Sequence, residues 1–210
     1  MKEYHKIESI FERDMNGTKK LIEGQYVNKA VEFLKDCEWQ FTEKIDGTNI
    51  RVYWDGHKIM FGGRTERAEI PKHLLDKLNE IFINGATEQL FEQMFGEKEV
   101  ILFGEGYGNK IQKVGGLYRD DVGFILFDVM VGETYLSRDN VVQIGIALGL
   151  EIVPLVFIGT IQEAVDFVKS NPDSNIGTAK MEGVVGRPGV ELRTSNNKRL
   201  IVKIKCCDFE

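Results

Sequence analysis

The sequence predicts an α+β protein in which antiparallel or mixed sheets are flanked by helices. Two observations carry this. Apolar residues change period along the chain, from helical spacing to strict alternation and back, and they do so without the regular strand–helix–strand repeat of a parallel α/β fold. The last third then returns to strand-like segments, which raises the strand number to that of a sizeable sheet. With 210 residues, 42% of them hydrophobic, and only 22 Gly and 4 Pro, the chain can bury one core and does not have a low-complexity composition.

Taken in order, residues 25–36 place Val27, Ala30, Val31 and Leu34 at helical spacing. From 39 to 61, β-branched and aromatic residues alternate on either side of Asp55-Gly56, a hairpin signal. Helical patterns follow at 72–82 and 87–95, the second closed by Gly96. The runs 100–103 and 124–131 are short, apolar and rich in Val, Ile and Phe, as expected of strands covered on both faces at the centre of a sheet. Ser137 can cap a helix through Leu148, and Thr160 with Glu163 forms a capping box for a helix through Val168. Strands are expected at 183–187, 190–194 and 200–205. The loop-like stretch 171–175 is short enough to be a connection inside a domain, so the expectation is one domain over residues 1–210.

No apolar run approaches the roughly 20 residues of a membrane helix, and the charged start Met1-Lys2-Glu3 is not followed by a signal-peptide core; the expected setting is the cytoplasm. Cysteines number three, two of them adjacent at Cys206 and Cys207, so reduced thiols are expected rather than a disulfide framework. His5, His57 and His73 are scattered and show no zinc-ligand spacing. A net charge of -6 argues against a generally basic nucleic-acid surface. Contact with a polyanion must therefore be local. Arg187, Arg193, Lys198, Arg199, Lys203 and Lys205 concentrate near the end of the chain, with Lys198 and Arg199 read as a solvated face.

The most informative segment is Glu43-Lys44-Ile45-Asp46-Gly47-Thr48-Asn49, a lysine at a strand end followed by a glycine-containing turn. Phe103-Gly104-Glu105-Gly106, Phe124-Ile125-Leu126-Phe127-Asp128, Met181-Glu182-Gly183-Val184-Val185 and Val202-Lys203-Ile204-Lys205 come after it in order. Glu105 and Glu182 lie at the edges of apolar strands, where a carboxylate needs a partner such as a hydroxyl or a metal ion. Alternation puts Lys203 and Lys205 on one strand face. An amine attacks only after losing its proton, which nearby cations or partial burial favour; Lys203, Lys205 and a metal ion are candidates to supply that charge. Separately, each feature also fits a solvated hairpin, a surface carboxylate or a core aromatic.

In this order, the segments resemble the motifs of the covalent nucleotidyltransferases, the ATP-dependent DNA and RNA ligases and the mRNA-capping enzymes. The resemblance runs from Glu43 to Lys205 and leaves the first forty or so residues without a motif. It implies a ligase adenylation domain of ATP-grasp-like type in which Lys44 takes AMP from ATP, passes it to an RNA 5′-phosphate, and a 3′-hydroxyl then displaces it. By the same resemblance Glu105 holds the ribose, Phe127 the base, Arg64 and Asn49 the nucleotide and reacting ends, and Glu182 a Mg²⁺ or Mn²⁺ ion. Lys203 and Lys205 hold phosphates and share in catalysis, and Glu43 and Ile45, beside Lys44, count among the nucleotide-binding positions. DNA ligases commonly carry arginine five positions after the nucleophile; Asn49 there is similar to the phage nick-sealing and trypanosome RNA-editing ligases, while Asp46 departs from that group. A DNA ligase, a GTP-using capping-type enzyme and an inactive nucleotide- or RNA-binding relative remain alternatives. Because most relatives continue into a C-terminal nucleic-acid-engaging domain, residues 1–210 are expected to be the nucleotidyltransferase domain alone, with a separate RNA-binding protein as one way to replace the C-terminal domain. A phage- or virus-encoded origin is compatible with this resemblance.

Overall fold

The computed structural model describes residues 1–209. The chain forms two compact units: Met1–His5 with Asp46–Val153 make the first, and Lys6–Ile45 with the chain from Pro154 onward make the second. After the first five residues, the chain enters the second unit through strands β1 (Glu8–Ser9), β2 (Phe11–Arg13) and β3 (Leu21–Tyr26), helix α1 (Lys29–Phe33) and strand β4 (Trp39–Glu43). The first unit then continues as β5 (Thr48–Trp54), β6 (Ile59–Gly62), α2 (Lys72–Phe82), α3 (Ala86–Phe95), β7 (Val100–Gly108) and α4 (Gly115–Tyr118). It is completed by β8 (Val122–Val131), β9 (Thr134–Tyr135), α5 (Arg138–Ala147) and β10 (Glu151–Ile152). The chain returns to the second unit for β11 (Leu155–Gly159), α6 (Ile161–Lys169), β12 (Gly183–Pro188), β13 (Val202–Lys205) and a 3-10 turn at Cys206–Asp208.

The first unit is built on a sheet of order β10-β8-β7-β5-β6, with β9 beside β8. One face carries Ile50, Val52, Trp54, Leu102, Phe124 and Leu126, which bury the Leu74, Leu78 and Phe82 stripe of α2 together with Phe91 of α3. Those α2 residues recur at i, i+4 and i+8, the spacing that aligns one helix face, and burying each contributes roughly 1.5–3 kcal/mol. The opposite face carries Ile101, Phe103, Met130 and Tyr135, against which Met1, Tyr4, Tyr53 and Phe127 pack. Strand alternation places Asn49 and Arg51 on this second face with Tyr53, and Glu105 there with Phe103. Pairing of β7 with β8 shifts between Phe103↔Asp128 and Gly104↔Leu126, so Phe127 is the extra residue of a bulge.

The second unit holds a sheet of order β1-β13-β12-β4-β11. β1 runs parallel to β13 and the other neighbours are antiparallel. Trp39, Phe41, Val184, Val202 and Ile204 of these strands pack against Ile161, Ala164, Val165 and Val168 of α6.

The mixed architecture agrees with the sequence reading, as do the hairpin at Asp55-Gly56 and the caps of α5 and α6. Ser137 accepts from Asn140 N–H, and Thr160 and Glu163 cap one another. Two segments differ. Residues 25 and 26 end a strand, with Tyr26 paired to Phe11, and only Lys29–Phe33 is helical, capped by the Asn28 side chain. The β2–β3 hairpin takes the residues that helical spacing had assigned to a first turn. Residues 190–194 form no strand: Arg193 and Arg199 make an isolated bridge around a tight turn in which Asn197 has φ 60°, leaving too little length for a ladder. Cys37, Cys206 and Cys207 form no disulfide among the described residues, and no helix of the described residues is long and apolar enough to cross a membrane.

Candidate active site

In the second unit the lysine that ends β4 meets the start of β12. Lys44 N–H donates to the Gly183 carbonyl at 2.9 Å, which continues the β4–β12 ladder by one step. Its ammonium donates to Glu182 Oε2 at 2.6 Å. Antiparallel pairing sets Gly183 opposite Lys205 and Val185 opposite Lys203, and Lys205 Nζ reaches Glu182 Oε1 at 3.0 Å. One half-buried carboxylate thus bridges two ammonium groups, with Val202 and Ile204 turned into the core behind them.

Lys203 has no carboxylate partner among the described residues. Burial holds its ammonium below the ordinary lysine range, and the charges of Lys44, Lys205 and Lys6 push in the same direction. For Lys205, burial also disfavours the charged form, but the Glu182 hydrogen bond and charge outweigh it and hold this lysine above the ordinary range. The cluster is therefore an anion-receptive patch in which Glu182 bridges two of the lysines and Asp208 adds a second negative charge that acts on Lys203 and Lys205. Lys6 is part of its electrostatic surroundings, a contribution that a sequence segment without motifs could not announce.

Glu43 is 2% exposed, and both oxygens of its carboxylate are engaged. Ser174 Oγ–H donates to Oε1, and Asn175 donates to Oε2 from its main-chain N–H at 2.9 Å and its side chain at 3.0 Å. The side chain anchors the 171–175 loop to the strand that presents Lys44. Ile45 is buried at 4% exposure.

In the first unit, β5 and β7 bring Asn49 opposite Glu105. A side chain at Gly47 would put its first carbon 2.4 Å from the Gly106 carbonyl oxygen and 2.7 Å from Glu105 Cγ, so only glycine lets the turn approach the glutamate strand. Asn49 Oδ1 is buried with no hydrogen-bond partner among the described residues. A buried amide oxygen without a donor is a position where a ligand can contribute one. Phe127 is half-buried, its ring meeting that of Tyr4 edge-on at 5.1 Å, and Tyr4 O–H donates to the buried Asp128. Arg64, just beyond β6, is exposed.

The structure thus brings Lys44, Glu182, Lys203 and Lys205 together in one unit, and sets Asn49 beside Glu105, with Phe127 on the same sheet face, in the other. Sequence reasoning missed Arg51, buried at 1% exposure on that face. Its place in an alternating strand looked like that of any solvated charge.

Among the described residues, no group of three or more His, Cys, Asp or Glu side chains converges to hold a metal ion. A divalent cation would have Glu182 as its protein ligand and complete its shell with phosphate oxygens and water, as Mg²⁺ does at nucleotide sites. The residues fit that arrangement on one condition. Lys44 and Lys205 now hold the Glu182 oxygens, so the ion must arrive with a polyphosphate that gives the ammonium groups other partners.

Solved structures of similar fold are RNA ligases. A Naegleria gruberi RNA ligase mutant solved with ATP and Mn superposes with a TM-score of 0.62 at 19% identity, over 84% of this chain and 51% of that one. An apo mutant of the same ligase gives 0.66 at 18% identity, over 98% of this chain and 60% of that one. At these identities the likeness establishes the fold, that of an RNA ligase nucleotidyltransferase. No curated protein sequence matches the chain. The sequence pattern of the RNA ligase family matches residues 37–205, and the chain belongs to that family.

Proposed function

We propose that the chain is an ATP-dependent RNA ligase acting through a covalent lysyl-AMP. The observation that carries this is the Glu182-bridged pair of Lys44 and Lys205, with Lys203 beside it, inside the segment that defines family membership. The Lys44 amine, having lost its proton, attacks the α-phosphorus of ATP; a P–N bond forms, the bond to the bridging oxygen breaks, and pyrophosphate leaves. A 5′-phosphate of RNA then takes the AMP and frees Lys44. Attack by a 3′-hydroxyl forms the phosphodiester and releases AMP.

Lys203 and Lys205 neutralise the phosphates, and Glu182 holds the Lys44 side chain in place until the triphosphate arrives. Asn49 and Arg64 hold the nucleotide and the reacting ends, Glu105 the ribose and Phe127 the base, while Glu43 fixes the strand from which Lys44 projects. Ile45 packs behind the nucleophile, and its place in nucleotide binding is through the main chain. A Mg²⁺ or Mn²⁺ ion at Glu182 would screen the charge of the triphosphate. Positioning and electrostatics supply most of the acceleration in phosphoryl-type transfers.

RNA ends in the cytoplasm are the proposed substrate, and a separate RNA-binding protein is a proposed aid to their capture. The chain spans 51% and 60% of the length of the two ligase structures compared above. The test is to incubate the protein with ATP, a divalent metal and RNA carrying 5′-phosphate and 3′-hydroxyl ends. Joined RNA is expected, with little joining of DNA and none with GTP. Preference for DNA ends or for GTP would move the assignment to another branch, and ATP binding without any adenylylated species would make the chain a binding relative.

A further inference from the structure

Arg51 is the larger of the two charged side chains buried in the first unit, at 1% exposure, and no carboxylate pairs with it among the described residues. Burying a guanidinium without a counter-charge is costly unless its donors are well used. Two of them are. Nε donates to the Gly63 carbonyl at 2.7 Å and Nη1 to the Met1 carbonyl at 2.9 Å. An apolar side chain would fill this position more cheaply, so the charge serves those two acceptors.

The Gly63 carbonyl lies in the same rigid peptide plane as the nitrogen and Cα of Arg64. Holding that oxygen fixes the direction in which the chain enters Arg64. Restraint is needed there because β6 ends at Gly62 and the following Gly63 has no side chain to limit its backbone. Gly62 sits close against the clamp: a side-chain carbon there would lie 3.1 Å from both Arg51 Nη2 and Met1 Sδ, so the guanidinium or the Met1 side chain would have to shift by a few tenths of an ångström. Lysine could not replace this fork, since its ammonium is a single point of donation on a flexible stem.

We propose that Arg51 is a positioning residue for Arg64, acting through the Gly63–Arg64 peptide. This rests on the proposed ligase function, in which Arg64 contacts the nucleotide. The clamp lets an exposed arginine meet the nucleotide in one orientation instead of searching many.

The experiment is a double-mutant cycle on lysyl-AMP formation. The single-turnover rate and its half-saturating ATP concentration are measured for wild type, Arg51→Lys, Arg64→Ala and the double variant, with melting curves to confirm folding. Arg51→Lys is expected to slow adenylylation on the order of 10-fold, the scale that misplacement of a contact group produces. In the Arg64→Ala background the same change is expected to cost less than about twofold, because coupled residues are non-additive. Gly62→Ala, which presses on the guanidinium but keeps its charge, should behave as Arg51→Lys does and stands in if that variant does not fold. Full additivity, or no effect of Arg51→Lys and Gly62→Ala where Arg64→Ala is impaired, overturns the positioning role and leaves the ligase reading intact. A wild type that forms no lysyl-AMP, or an Arg64→Ala variant that labels normally, removes the reading and the positioning role with it.

Discussion

Replacing Glu182 by Gln removes the carboxylate that bridges Lys44 and Lys205 while keeping its size and shape. Its oxygens lie 2.6 Å from Lys44 Nζ and 3.0 Å from Lys205 Nζ, and all three side chains are between 17% and 29% exposed. At an effective dielectric constant of about 20, the gross attraction is roughly 6 kcal/mol for each pair. Desolvation, side-chain ordering and screening return most of that, leaving about 1–1.5 kcal/mol for each partly exposed pair. The net loss should be about 2–3 kcal/mol, which for a protein of this size lowers the melting temperature by roughly 5–10 °C. Thermal unfolding of wild type and Glu182→Gln in the same low-salt buffer measures it. Pyrophosphate should then raise the melting temperature of the variant more than that of wild type, because it can take the place of the missing carboxylate. A change below about 1 °C, or equal stabilisation of both proteins by pyrophosphate, would show that Glu182 does not hold the cluster together.

Lys203→Gln should stabilise the ligand-free protein while impairing adenylylation. Burial and the neighbouring lysines hold the Lys203 value down, so the charged form costs stability below its folded value, and that cost is relieved as pH rises toward the ordinary 10.5. The variant should melt above wild type near neutral pH, and the melting-temperature gap should close as the pH is raised through the alkaline range; a gap that widens would contradict the assigned cause. Glu43→Ala removes three hydrogen bonds that the half-buried Ser174 and the exposed Asn175 make to a buried carboxylate, so it should cost about 2–3 kcal/mol in urea unfolding. A cost under about 0.5 kcal/mol would mean the 171–175 loop is not anchored there.

Elements whose signal is local were legible in the sequence. The Asp55-Gly56 hairpin, the Ser137 and Thr160 caps and the helix over 72–82 each depend on neighbours a few residues apart. Lys44, Lys203, Lys205 and Glu182 were legible because their segments occur in a recognisable order, and β4, β12 and β13 then bring them together. What periodicity could not show is which sheet a strand joins. β4 and β5 are separated by only a short turn, yet β4 pairs with β12 and β11 while β5 pairs with β6 and β7. The same limit hid Arg51, whose partners are 12 and 50 residues away, and the use of Glu43 by a loop about 130 residues distant. Strand β1 escaped for the same reason, since it owes its existence to pairing with the distant β13.

The covalent chemistry itself is tested most directly by incubating the protein with ATP labelled in the α-phosphate and Mg²⁺ or Mn²⁺, then mapping the modified residue by mass spectrometry. AMP should be found on Lys44 as an acid-labile phosphoramidate, and Lys44→Ala should fold and bind no label covalently. Label on a different residue, or its persistence in Lys44→Ala, would contradict the account.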